Sequence, residues 1–226
     1  MGLIDIVFPK KCFGCGSEGG YLCLNCLGKV GYPRQTCIKC ERPSIDGITH
    51  IKCKTKFILD GTVSIWNYEG VIRKSILGIK YKFAYDVAKE ISFGMVEYLR
   101  KNISALPKRA ILLPVPIHIK RQNWRGFNQS SEVGKLVAKG MNWGFVEDLL
   151  VKRQQTKPQT ELKGKERMKS LRGAFRINEK YEILEKDKKP AILFDDVRTT
   201  GTTLKKAGKV LKRSGFGIVW GLTIAK

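Results

Sequence analysis

Four pairs of metal-ligating residues, each with a two-residue gap, stand in the first quarter of this 226-residue chain. All seven cysteines lie there, and one histidine completes the fourth pair. The eight residues are Cys12 and Cys15, Cys23 and Cys26, Cys37 and Cys40, and His50 and Cys53. Because imidazole can replace a thiolate and two pairs complete a tetrahedral site, they predict two structural Zn²⁺ sites.

Other uses of these cysteines fit the arrangement less well. Disulfides are rare in a cytosolic chain, and a redox Cys-x-x-Cys motif usually occurs once, beside a βαβ unit. An iron–sulfur cluster needs four thiolates, and the seven cysteines are one too few for two clusters. Sequential pairing of the four pairs would give two small ribbons and alternate pairing a cross-brace, and we favour the sequential arrangement.

The composition is strongly basic, with 43 Lys and Arg against 20 Asp and Glu and a formal net charge of +23. Residues 152–176 are the densest stretch, with nine basic and two acidic side chains. Such a field attracts polyanions, although a solvated lysine-rich surface has the same composition. No apolar run approaches the ~18 residues of a membrane helix, and no signal peptide precedes the cysteines. We therefore expect a cytoplasmic protein without a membrane span.

Strand and helix patterns alternate from residue 61 onward. Strands are predicted at 62–68, 110–115, 147–151, 191–194 and 218–224. Helices are predicted at 71–80, 87–99, 129–139 and 202–213, the last with Gly215 just beyond its end. The polar stretch 154–170 is expected to be a loop or a weak helix. The alternation indicates a parallel or mixed α/β sheet, which places a metal-held domain at 1–56 and an α/β domain at 57–226.

The most informative segment of the α/β part begins at the buried strand 191–194. This strand leads into Asp195 and Asp196, and a threonine-rich turn around Gly201 then opens a helix. Ligands of open α/β sheets bind outside the carboxyl ends of strands, and the first turn of a helix offers free N–H groups to phosphate. The glycine lets the backbone approach that phosphate closely.

The two carboxylates would repel a phosphate, so they must contact a different part of the same ligand. Vicinal sugar hydroxyls are the natural choice, since a carboxylate accepts hydrogen bonds from O–H groups. The segment therefore predicts a site for a ribose 5-phosphate, with an ordinary capped strand–turn–helix as the alternative. It resembles the phosphoribosyl pyrophosphate (PRPP) motif of type I phosphoribosyltransferases, and the sequence contains neither a Walker A nor a G-x-G-x-x-G pattern.

Further segments narrow the resemblance. They are Gly78-Ile-Lys80-Tyr-Lys82, Pro114-Val-Pro-Ile-His118, Arg125-Gly-Phe-Asn-Gln129 and Leu171-Arg-Gly-Ala-Phe175. With the cysteine pairs and the Asp-Asp-Val-x-Thr-Thr-Gly loop, nearly the whole chain resembles the ComF family, which includes ComFC and GntX-like proteins. The resemblance implies a double zinc ribbon followed by a type I phosphoribosyltransferase-like, Rossmann-like domain with a mostly parallel sheet and flanking helices. The chain departs from the family at Ser170, usually Asn, and at His50, often Cys.

The resemblance also implies a chemistry, namely displacement at C1 of the ribose of PRPP with loss of pyrophosphate and help from Mg²⁺. It assigns PRPP binding to Asp195, Asp196, Val197, Arg198, Thr199, Thr200, Gly201, Thr202, Thr203, Lys80 and Lys82. The catalytic residues that it implies are Asp195, Asp196, Lys80 and Arg125. Asp196 would accept a proton from the acceptor, although at an ordinary pKa of ~4 it would be a weak base. Asn128 would orient its loop, and 152–172 would form a mobile lid.

For the biological role, the resemblance implies natural transformation. Members of the family handle incoming single-stranded DNA in the cytoplasm, alongside a competence helicase of the ComFA type. The acceptor of the ribose phosphate is left open. Two alternatives stand beside the enzyme. One is a PRPP sensor that has lost transfer, and the other is a nucleic-acid-binding adaptor that uses the zinc module and the basic surface.

Overall fold

The central element is a five-stranded sheet, seen in a computed structural model that describes residues 9–79, 84–117, 128–152, 174–181 and 189–226. Its strands are β1 (Gly61–Trp66), β2 (Ile111–Pro114), β3 (Gly144–Phe145), β6 (Ala191–Val197) and β7 (Val219–Ala225). They lie in the order β1-β7-β6-β2-β3, and every neighbouring pair is parallel. A separate antiparallel pair consists of β4 (Leu150–Lys152) and β5 (Phe175–Ile177). The predicted parallel α/β sheet is confirmed.

The helices of the described part of the chain follow the predicted pattern closely. They are α1 (Leu24–Gly28), α2 (Gly70–Gly78), α3 (Ala84–Asn102), α4 (Gln129–Met141) and α5 (Thr202–Arg213). Helix α5 has the predicted bounds, and Gly215 follows it at φ 90°, as expected of a glycine that ends a helix. Three elements, α1, β3 and β5, were not predicted, because they have five residues or fewer and are too short to show a periodicity.

Apolar side chains form two cores. The larger core joins the sheet to α2, α3 and α4, and contains fully buried residues such as Ile72, Ile91 and Val137. The smaller core joins the sheet to α5 and to the β4–β5 pair. Leu204 and Leu211 supply the apolar side of α5, and Lys206 and Lys209 are exposed on its other side.

The strand order creates a crevice at the carboxyl ends of two central strands. Helix α4 leads from β2 outward to β3, whereas α5 leads from β6 to β7, so the chain leaves β2 and β6 in opposite directions. These two strands are neighbours, with Leu112 opposite Ile192 and Pro114 opposite Phe194. Ligands of open α/β sheets bind where the strand order reverses in this way.

The cysteine-rich part forms two small hairpins, the first ribbon (11–26) and the second ribbon (36–53). Each begins with one antiparallel bridge, Lys11 with Glu18 and Thr36 with Pro43. The first ribbon contributes Cys12 to the larger core, and the second contributes Ile38 to the smaller core. The ribbons therefore share the apolar cores of the α/β part, and the boundary predicted at residue 56 stays a prediction.

In the part of the chain that the structure describes, no helix combines the length and the apolar character needed to cross a bilayer. The longest of these helices, α3, has 19 residues with charged side chains throughout its length.

Candidate functional site

The eight predicted metal ligands form two separate clusters. Within each cluster, the ligand atoms all lie within 4.8 Å of one another. The first cluster contains Cys12, Cys15, Cys23 and Cys26, and the second contains Cys37, Cys40, His50 and Cys53. The structure thus groups the pairs sequentially, as favoured, and each donor set could hold one tetrahedral Zn²⁺ ion.

Backbone N–H groups point at sulfur atoms in both clusters. In the first ribbon, Gly14 N and Cys23 N lie 3.4 and 3.5 Å from Cys12 Sγ. In the second ribbon, burial raises the pKa of Cys37, but the N–H groups of three neighbouring residues outweigh it and lower that pKa to about 6. Such N–H groups stabilise the thiolate, which is the form that binds zinc.

His50 is oriented as a metal ligand. Its Nδ1 lies 3.3 Å from Cys40 Sγ, inside the second cluster. Its Nε2 lies 3.0 Å from the carbonyl oxygen of Pro43. A zinc-bound histidine usually donates its other ring N–H to such an oxygen, which fixes the tautomer and the ring. The histidine therefore fits the place that a cysteine occupies in the other cluster.

The predicted sugar-phosphate site lies at the carboxyl end of β6, the middle strand of the sheet. Asp195 and Asp196 are half-buried at this end of the strand. Burial and the neighbouring carboxylate of Asp196 raise the pKa of Asp195 to about 7, against weaker opposing contributions that include Lys152. A carboxyl group with a raised pKa in a crevice is a candidate functional group.

The threonine loop (199–203) follows directly. Its four threonines are exposed, and Gly201 adopts a left-handed conformation, with φ 66°. Thr200 Oγ1 lies 2.8 Å from Thr202 Oγ1. Lys205 Nζ donates to the carbonyl oxygen of Thr200 at 3.3 Å, which brings a cation to the loop. Lys205 was not singled out from the sequence, although its position one turn into the helix was a usable signal.

Arg198 differs from the expectation for a ligand-binding side chain. Arg198 is 5% exposed, and its side chain lies beneath the threonine loop. Its guanidinium donates to Thr62 Oγ1 at 2.8 Å and to Thr36 Oγ1 at 2.9 Å. Thr62 belongs to β1 and Thr36 to the second ribbon. Neither threonine was singled out from the sequence, because nothing local links them to residue 198.

Asn128 closes the other side of the crevice. Its Oδ1 accepts from Ser130 N at 3.1 Å, which caps α4, and its Nδ2 donates to the Val115 carbonyl at 3.2 Å. The side chain thus joins residue 115 to the first turn of α4. Its role in orienting the preceding loop stays a prediction. Lys80, Lys82 and Arg125 lie outside the described residues, as do His118 and Ser170 and nearly all of the predicted lid.

Comparisons with known proteins agree with the resemblance. The chain is 26% identical to competence protein F of Haemophilus influenzae over 99% of its length and 94% of that protein. It is 24% identical to competence protein ComFC of Bacillus subtilis, over 91% of this chain and 79% of that protein. These relatives support the assignment of the chain to the ComF family. A relative with a different name, DNA utilization protein YhgH of Salmonella typhimurium, is 29% identical over 70% of this chain and 68% of that protein.

Two other comparisons add little to the ComF assignment. No protein-family model matches the chain. Among solved structures, it is similar to adenine phosphoribosyltransferase from Leishmania donovani, with 16% identity over 75% of this chain and 61% of that chain, which is less than two thirds of it. The TM-score is 0.32, so the fold class rests on the parallel sheet order and on the two clusters.

Proposed function

We propose that this ComF-family protein binds PRPP at the carboxyl end of β6 and transfers its ribose phosphate to an acceptor during the handling of DNA. The observation that carries the proposal is the placement of two acids and an exposed threonine loop at the crevice between β2 and β6. A phosphate would occupy the loop, where four hydroxyl groups and the first turn of the 12-residue helix α5 are available.

The two acids would hold the ribose ring. Asp195 and Asp196 offer oxygen atoms to the vicinal hydroxyls, and carboxylates are also ligands that Mg²⁺ accepts. When bound with PRPP, the ion would neutralise charge on the pyrophosphate that leaves. Lys80, Lys82 and Arg125 are proposed for the pyrophosphate side, and Lys205 adds a cation near the 5-phosphate.

The proposed reaction replaces one bond at C1 of the ribose by another. The bond from C1 to the pyrophosphate oxygen breaks, the electron pair leaves with pyrophosphate, and the nucleophilic atom of the acceptor bonds to C1. The acceptor loses its proton to a base. The sequence analysis gave this role to Asp196. Asp195 is better suited to it, because a pKa of about 7 makes it a stronger base than an ordinary aspartate.

Calorimetry with PRPP and Mg²⁺ tests the binding site. We expect wild-type protein with two zinc ions to give saturable heat and Thr200→Tyr to give none, because the larger side chain fills the loop. Thr55→Tyr, which changes another exposed threonine, is the matched control. Absence of heat with the wild type would refute the PRPP site. Release of pyrophosphate with bases, nucleosides or single-stranded DNA separates an enzyme from a PRPP sensor.

A basic surface favours a second candidate function, the binding of single-stranded nucleic acid. Helix α5 has five basic residues and no acidic residue. Its exposed Lys206, Lys209 and Arg213 continue into the segment 52–57, because the Arg213 guanidinium lies 5.3 Å from the centre of the Phe57 ring. Lys52, Lys54 and Lys56 are exposed on that segment. Names of relatives that mention competence and DNA utilization agree with a polyanionic partner.

Salt dependence tests this basic surface. For single-stranded DNA, each phosphate contact contributes ~0.7 to the slope of log affinity against log salt concentration. Replacing Lys206, Lys209 and Arg213 with serine should therefore reduce the magnitude of that slope by about 2. The control replaces Lys108, Lys135 and Lys139, which removes the same charge from exposed sites away from α5. Equal slopes for the two triple variants would mean that net charge alone attracts the DNA.

A further inference from the structure

The side chain directly beneath the threonine loop belongs to the second ribbon. A Cβ atom added to Gly201 would lie 2.5 Å from Ile38 Cδ1. Ile38 is 2% exposed and stands between two ligands of the second cluster, Cys37 and Cys40. The contact therefore joins the metal-held turn of the ribbon to the residue that gives the loop its left-handed bend.

Arg198 provides a second connection between the same two parts. Its guanidinium bonds Thr36, the residue next to Cys37, and Thr62 in β1. Its backbone N–H donates to the Ala225 carbonyl of β7 at 2.9 Å. One residue thus links the start of the loop to the sheet through its backbone and to the second ribbon through its side chain.

Such a buried cation is costly unless its surroundings compensate it. Burial lowers the pKa of Arg198, and the nearby carboxylate of Glu41 acts in the opposite direction. Glu41 has φ 59°, a conformation that side chains with a Cβ disfavour. The corresponding residue of the first ribbon, four positions after its first cysteine, is Gly16. The second ribbon therefore keeps an acid, in a strained conformation, near the arginine.

We propose that the second ribbon holds the threonine loop in its phosphate-binding conformation, with Arg198 and Ile38 as positioning residues that do not themselves contact the ligand. The consequence for PRPP rests on the proposed function. By linkage, a ligand that fits the braced loop also stabilises the ribbon that braces it. PRPP should therefore slow the loss of zinc from the second cluster and leave the first cluster unaffected.

Hydrogen exchange tests the brace without any ligand. The amides of Arg198 and Lys205 are bonded to Ala225 O and Gly201 O, each at 2.9 Å. Thr36→Val removes one hydroxyl at nearly constant volume and keeps every zinc ligand, so we expect about tenfold faster exchange at these two amides. The control Glu90→Ala removes the acceptor of two first-ribbon N–H groups and should leave both rates unchanged. Unchanged exchange in Thr36→Val would overturn the proposal.

PRPP binding and zinc release provide the second measurement. Arg198→Met should weaken PRPP binding about tenfold, Arg198→Lys should weaken it less, and Glu90→Ala should stay within about twofold of the wild type. With a chromogenic chelator, PRPP should protect one of two zinc ions in the wild type and none in Arg198→Met. Equal affinity in all variants, or equal protection of both ions, would overturn the brace. A wild type that shows no PRPP binding while Thr36→Val accelerates exchange would instead refute the proposed function and keep the brace.

Discussion

In each ribbon, the residue after the first cysteine reaches a glycine of the α/β part, but the two glycines have different surroundings. In the first ribbon, a Cβ atom at Gly78 would lie 2.7 Å from Phe13 Cε2. Gly78 is the last residue of α2. In the second ribbon, the partner of Ile38 is Gly201, in the threonine loop. Two modules with similar sets of candidate metal ligands thus contact a helix end in one case and the candidate site in the other.

The polar contacts show the same division. The Glu90 carboxylate of α3 accepts from Tyr21 N at 3.2 Å and from Leu22 N at 2.7 Å, which holds the first ribbon against a helix. The second ribbon has a comparable link in Asp46, whose Oδ2 accepts from Ser104 N at 2.9 Å. Only the second ribbon adds the bond to Arg198. We infer that the first ribbon serves mainly stability, and the second serves both stability and the site.

Loss of one zinc ligand should have the largest effect. Cys12→Ser and Cys37→Ser should each reduce zinc from two ions to one per chain by elemental analysis, with several kcal/mol of stability lost, since zinc supplies much of the folding energy of such modules. PRPP affinity should fall at least about tenfold in Cys37→Ser and much less in Cys12→Ser. Similar losses of affinity in both variants would remove the functional difference between the ribbons.

Alanine at the two contacted glycines should have the next largest effect. Gly201→Ala should cost about 2–4 kcal/mol, because it combines a left-handed conformation with the close contact to Ile38. Gly78→Ala should cost about 1–3 kcal/mol, because only the Phe13 ring must move. Denaturant unfolding measures both. Ile38→Ala should recover part of the Gly201→Ala loss, and strictly additive effects would mean that the two residues do not interact.

Removal of the polar anchors should have smaller effects. Glu90→Ala leaves two first-ribbon N–H groups without their acceptor. Asp46→Gly removes the hydrogen bond to Ser104, and glycine adopts the positive φ of residue 46 without strain. Each should cost about 1–3 kcal/mol in thermal unfolding. We expect Glu90→Ala to bind PRPP normally. A lower affinity in that variant would show that the first ribbon also supports the site.

The pH dependence of PRPP binding should show the smallest change. Burial and Asp196 raise the pKa of Asp195 to about 7. The fraction of Asp195 in the carboxylate form therefore increases between pH 6 and 8. Affinity should rise severalfold over that range, and Asp195→Asn should abolish this rise. The folded state binds this proton more tightly than an unfolded chain does, so stability should fall as pH rises from about 4 to about 7, and this slope should flatten in Asp195→Asn.

The second ribbon should leave this pH dependence unchanged. Arg198→Met weakens the loop in our proposal but does not alter the surroundings that set the pKa of Asp195. Burial and Asp196 raise this pKa, and Lys152 opposes them. Calorimetric titrations at several pH values should therefore give parallel curves for wild type and Arg198→Met. A shifted midpoint in the variant would show that the ribbon also controls the acid.

Sequence patterns predicted the elements that depend on neighbours along the chain. The bounds of α5 and its terminal glycine follow from periodicity and from local backbone preferences. The eight ligands follow from paired spacing, because a two-residue gap brings both side chains of a turn to one ion. The strands β3 and β5 were missed, because two or three residues have no measurable period and pair only when the sheet is assembled.

By itself, the sequence determined the eight candidate metal ligands and the order of strand, acids, threonine loop and helix at the candidate site. The structure decided that these ligands group sequentially into two clusters. Only the tertiary structure decided that the Arg198 side chain is buried and bonds Thr36, a residue 162 positions earlier in the chain. The physical reason is the separation along the chain between the residues that interact. Metal ligation and helix capping act over a few residues, whereas the partner of a buried guanidinium is fixed by the strand order and by which ribbon packs on which core.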